Sequence, residues 1–115
     1  RMADVEVFIG DLTDRSFQYE GGDWNHNYPK RISPFFPKGY ELFFSLLDGI
    51  YYKRLEGRQT DWGSHTCLMF PEEMLSMLED YYKRELDDEQ VQQLFQFIKQ
   101  LDPEQQYGLV ACEMT

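Results

Sequence analysis

Basic residues are scarce in this chain: 11 Lys and Arg stand against 21 Asp and Glu, a formal net charge of −10. A phosphate-binding surface needs clustered Lys and Arg, and the one basic cluster, Lys53-Arg54 with Arg58, is too small to make one. The sequence thus argues against direct nucleic-acid binding. Long apolar runs are missing too. None approaches the roughly 18 residues that mark a spanning helix, and the first residues lack the basic-then-apolar order of a signal peptide, so no membrane association is expected. Cysteine is limited to Cys67 and Cys112, too few and too far apart for a disulfide framework, which points to a reducing, cytoplasmic compartment and two buried thiols.

Catalytic motifs are equally sparse. The chain has no Gly-rich phosphate loop, no nucleophile elbow and no zincin helix. Its two histidines sit in echoing segments, Asp23-Trp24-Asn25-His26 and Asp61-Trp62-Gly63-Ser64-His65. Two histidines beside aspartates could hold a metal or act as an acid–base pair. Their spacings match no ligand motif, however, and a zinc site would need two further ligands from elsewhere. The plainer expectation is a loop anchored by each Trp with each Asp making a turn, no metal, no cofactor and no catalytic residue.

What is present is apolar and aromatic mass. The 115 residues are 42% hydrophobic and include nine Phe, eight Tyr and two Trp, enough for the core of one domain spanning 1–115 and too much for a disordered chain.

The chain is organised around 70–101, where the spacing predicts two amphipathic helices in tandem. The first opens at Pro71, whose fixed φ suits the first helical position, with Glu72 and Glu73 at the positive end of the dipole. Met74, Leu75, Leu78, Tyr81 and Tyr82 recur on one face. Glu79 with Lys83 and Asp80 with Arg84 are expected as pairs four apart. The second helix is predicted to take Asp87 as its N-cap, in a capping box with Gln90. Val91, Leu94, Phe95, Ile98 and Leu101 form its apolar stripe before Asp102-Pro103 stops it. Eight acids fall between 71 and 90 (Glu72, Glu73, Glu79, Asp80, Glu85, Asp87, Asp88 and Glu89) against only Lys83 and Arg84, more than half of the chain's net charge.

Elsewhere, Ala3 to Ile9 alternates as a strand with Phe8 breaking its polar side, and Ser16 to Glu20 reads as a short return strand. Residues 20–37 hold three prolines and several glycines and asparagines, but also Trp24, Tyr28, Phe35 and Phe36, so they are expected as an ordered loop packed onto the domain. Pro37 to Leu47 is a helix apolar all round, fit for a core or an interface. It either crosses Gly49 or stops there, and the β-favouring residues of Ile50 to Leu55 tip the reading towards a strand. Gly57 to Gly63 reads as a turn, His65 to Phe70 as a strand, and Leu109 to Met114 as a buried last strand. The result is an α+β domain: a small, mostly antiparallel sheet, three helices mainly on one face, and the N- and C-terminal strands adjacent.

For function, the profile suggests a small acidic protein-interaction domain that inhibits or regulates a basic protein such as a nuclease or a nucleic-acid-binding protein, as immunity, anti-defence and nucleic-acid-mimic proteins do. The expected partner-binding residues are the eight acids just named, Tyr81 and Tyr82 beside them, and Trp24 and Trp62, since Tyr and Trp suit interfaces. Two other readings compete. One is a small metal-dependent enzyme using the Asp-Trp-His loops. The other is a structural or regulatory subunit that oligomerises through the helix at Tyr40 to Leu47.

Overall fold

In a computed structural model describing residues 4–114, the first strand β1 (Val5–Asp11) lies antiparallel to the last, β5 (Tyr107–Glu113). Ala3, expected to open β1, lies outside the described residues. Between them come β2 (Lys30–Arg31), α1 (Gly39–Tyr51), β3 (Gly57–Asp61), β4 (Ser64–Met69), α2 (Pro71–Tyr81) and α3 (Glu89–Lys99). The strands form one antiparallel sheet in the order β2-β1-β5-β4-β3, with β5 at its centre. This is the α+β arrangement the sequence implied.

Side chains opposite one another across an antiparallel sheet share a face, and here the register sorts two faces. Val7, Ile9, Cys67, Leu109 and Ala111 point to one side and meet Leu42, Phe43 and Leu46 of α1, Met74 and Leu78 of α2, and Val91, Leu94 and Ile98 of α3. These residues make the main core. Phe8, Val110 and Cys112 point to the other side and form a second, smaller cluster with Tyr28.

That second face is covered by 12–37, which is pinned rather than free. Only two residues of it form a strand, yet its pairing with β1 continues past them. Ile32 N donates to Ile9 O, Ile9 N to Ser33 Oγ, and Phe36 N to Val7 O, so the edge of β1 is satisfied. Asn27, buried, ties Gln18 to Thr60 through both ends of its amide. Gly10 and Gly108 lie opposite each other, and a Cβ at either would strike Pro29, at 2.6 Å and 2.9 Å. The paired glycines are what let the loop lie flat on the sheet.

Four local expectations are corrected. Ser16 to Glu20 is not a strand: Asp11 and Asp14 hold Thr13 and Ser16 in local turns there. The α1 helix crosses Gly49 and runs to Tyr51, so Ile50 to Leu55 is not a strand. A Cβ at Gly49 would fall 2.6 Å from Leu55 Cδ1, and the returning chain folds onto that bare spot, with Arg54 N and Leu55 N both donating to Gly49 O. Gly57 to Asp61, expected as turn, is edge strand β3, paired to β4 with a bulge between Gln59 and Asp61. Its polar sequence suits an edge, where pairing to β4 decides the conformation. Finally, the N-cap of α3 is Asp88, which accepts from Gln90 N and Val91 N; Asp87 is one residue too early.

Candidate functional site

The acidic residues of α2 and the α2–α3 turn divide into those held by a cap or an ion pair and those with neither. Glu73 accepts from Phe70 N at the start of α2, Asp88 caps α3, and Glu85 pairs with Lys38 at 2.9 Å. Glu72, Glu79, Asp80, Asp87 and Glu89 are exposed and have no ion pair among the described residues. The expected pairs Glu79 with Lys83 and Asp80 with Arg84 do not form. Helix α2 ends at Tyr81, so both cations sit in the turn beyond it, off the helical spacing that would align them.

Tyr81 and Tyr82 turn inward. The Tyr82 side chain is 1% exposed, and its hydroxyl donates to Pro37 O at 2.6 Å; Tyr81 Oη donates to Lys38 O at 2.7 Å. The two hydroxyls clamp the turn that starts α1, where Lys38 holds a left-handed φ of 52°. Burial, above all, raises both phenol pKa values. Tyr82 is therefore a core residue and offers no contact surface, contrary to its grouping with the acidic face. Tyr81 keeps one edge in a cleft of about 450 Å³ walled by Lys38, Tyr40, Glu41 and Glu85. Tyr40 in turn packs edge-on against the exposed Phe44, so an aromatic strip on α1 adjoins the acidic turn.

Trp24 and Trp62 lie on the far side of the sheet from this surface. Their rings meet edge to face, with centroids 4.9 Å apart, and Trp62 N donates to Trp24 O. Each preceding aspartate makes the expected turn, Asp23 Oδ1 accepting from Asn25 N and Asp61 Oδ1 from Gly63 N. The echo in sequence thus becomes a pair in space. Two adjoining hollows open beside it, about 350 Å³ at the Trp pair and about 460 Å³ at Phe8 and Phe35, sharing His26, Tyr28, Cys112 and Met114.

The two histidines are not brought together. His26 is exposed at the mouth of both hollows. His65 pairs with Ala111 and so points to the helical side, where burial lowers its pKa against the opposing pull of Glu113 and Asp61, and its Nδ1 has no partner. Among the described residues, no three His, Cys, Asp or Glu are grouped so as to hold a metal. Cys67 is buried in the main core, where burial pushes its thiol up to about 12, and Cys112 is raised by the same cause. Both thiols are unpaired and buried, which suits inert filling rather than nucleophilic work.

Two features of the sequence point to the hollow face, although local pattern alone does not locate it. Phe8 breaks the polar side of β1, and the uninterrupted apolar run of β5 means that both of its faces are covered. Searches of protein-family models, curated proteins and solved structures each find no match to this chain.

Proposed function

We propose that this domain binds a basic protein through the acidic surface formed by α2, the α2–α3 turn and the start of α1, and that binding inhibits or regulates that protein. The observation that carries this reading is the set of exposed carboxylates without ion pairs, at Glu72, Glu79, Asp80, Asp87 and Glu89, on the helix and turn that also contribute Tyr81 and Glu85 to the cleft with Lys38, Tyr40 and Glu41. Capping and the pair with Lys38 account for Glu73, Glu85 and Asp88, and the five remaining acids outnumber Lys83 and Arg84, the two exposed cations of the same turn. Such a surplus steers an oppositely charged partner inward and accelerates encounter. The aromatic strip of Tyr40 and Phe44 supplies apolar area next to that charge, a combination that suits an interface. Immunity-type, anti-defence and nucleic-acid-mimic proteins work in this manner, and a nuclease or other nucleic-acid-binding protein is the kind of partner the charge fits. A reducing, cytoplasmic setting accords with the two unpaired thiols. No helix among the described residues is long and apolar enough to cross a membrane.

The test is capture from a lysate of the native host with the wild-type protein and with a Glu79→Lys, Asp80→Lys, Asp87→Lys variant, followed by mass spectrometry. Asp88 is left intact because it caps α3. A basic protein held by the wild type and lost from the folded variant supports the reading. Capture of the same proteins by both contradicts it.

A further inference from the structure

The Trp24–Trp62 hollow has the parts of a guanidinium site, and none of them belongs to the acidic helical surface. Two indoles meet at an interplanar angle of 65° and Tyr28 stands beside them, giving aromatic walls at an angle to one another. Asp61 lines the same hollow although the residue is only 4% exposed. One of its oxygens, Oδ1, takes the Gly63 N–H; Oδ2 accepts no hydrogen bond from any described residue, and no cation pairs with the carboxylate. Oδ2 is not among the buried polar atoms that lack a partner, so it opens to the hollow and can accept from an incoming donor.

The geometry points to this hollow as a binding site for an arginine side chain on an extended segment of another protein. Guanidinium both stacks on aromatic faces and presents a planar fork to a carboxylate, whereas ammonium is a compact, strongly hydrated charge. The Trp walls answer the first property and Asp61 Oδ2 the second. An extended segment fits better than a free small cation because the hollow does not end at the Trp pair. It continues past Tyr28 into the larger hollow of about 460 Å³ lined by Phe8 and Phe35. Lys30 and Arg31 outnumber Asp14 at that far end and disfavour a cation there, so the arginine is directed to the Trp end. The site lies across the sheet from the acidic surface and does not depend on it.

The chain's two tryptophans both belong to the site, so their emission reports on it directly. Titration with Nα-acetyl-arginine amide should change that emission saturably in the millimolar range. The neutral isostere Nα-acetyl-citrulline amide should give no saturable change, and Nα-acetyl-lysine amide should bind more weakly than arginine. Asp61→Asn keeps the oxygen that accepts from Gly63 N and removes the charge, so calorimetry should show arginine affinity lower by about ten-fold or more. Trp62→Ala, at a side chain 72% exposed, should abolish binding while the thermal transition stays sharp, which covers the case of Asp61→Asn failing to fold. Equal binding of citrulline or lysine, full affinity in a folded Asp61→Asn or Trp62→Ala, or the absence of saturation with arginine would overturn the assignment. The Glu79, Asp80, Asp87 reversal should leave this titration in place, so failure here and failure of the acidic-surface reading are separable.

Discussion

Replacing Tyr82 with Phe isolates one hydrogen bond, because the ring keeps its packing among Phe95 and Tyr81 while the hydroxyl is lost. That hydroxyl donates to Pro37 O at 2.6 Å, from a side chain 1% exposed. Pro37 is half-buried, so water reaches its carbonyl only in part once the donor is gone. The cost of a hydrogen bond removed so as to strand its acceptor is about 1–3 kcal/mol, and partial access by water places this one near the lower end. The bond also braces a strained turn, since Lys38 at φ 52° occupies a region that L-residues disfavour by about 1–2 kcal/mol. A loss of about 1.5 kcal/mol follows, and at about 4 °C per kcal/mol for a domain of this size the melting temperature should fall by about 6 °C. Tyr81→Phe removes a solvent-exposed bond to Lys38 O and should cost about 0.5 kcal/mol. Calorimetry and urea unfolding of both variants, with unchanged m-values, would measure the difference. If Tyr82→Phe matched the wild type in stability, the clamp on the start of α1 would be refuted, and Tyr82 would return to consideration as a surface residue.

Two further outcomes are expected. Asp88→Ala should destabilise by about 1 kcal/mol through loss of the α3 cap, while Asp87→Ala should change the urea midpoint little; the reverse order would restore Asp87 as N-cap. With the Cys67 thiol held at about 12 by burial against an ordinary 9.0, the unfolded chain releases its proton first as pH rises. Stability should be constant below about pH 9 on this account and decline from there towards 12, more shallowly in Cys67→Val, as read by urea midpoints at pH 8 and 10.5.

How much of this was legible in the sequence depended on where the deciding interaction lay. Helix α2 was readable because Pro71 and the first-turn acids act locally, and β1 because Val5, Val7 and Ile9 alternate. β5 was readable as a continuous apolar run, and so was its place beside β1. The end of α1 was not, since the packing of Leu55 back onto the bare Gly49 is a contact that the local propensities of 49–55 do not reveal. β3 was read as a turn because Gly57 to Asp61 is polar, and its strand character comes from β4 alone. Among the acids, local pattern could not choose between Asp87 and Asp88, where one residue of register separates a cap from a free carboxylate. Tyr82 misled for a different reason: an amphipathic side chain can sit on a surface or send its hydroxyl through the core to a distant carbonyl, and its partner Pro37 is 45 residues away. The Trp hollow joins 24–28, 61–64 and 112–114, so its existence is a property of the sheet order rather than of any segment.

The central claim, that the exposed acids serve encounter with a basic protein, is tested most directly by association kinetics. Once the partner is captured, its association rate should be measured against ionic strength for the wild type and the Glu79, Asp80, Asp87 reversal. Surface charges act chiefly on association and are screened by salt. The account predicts a wild-type rate that falls steeply as salt increases, and a slower, flatter dependence for the folded variant. Superimposable curves from a variant with an unchanged thermal transition would contradict it.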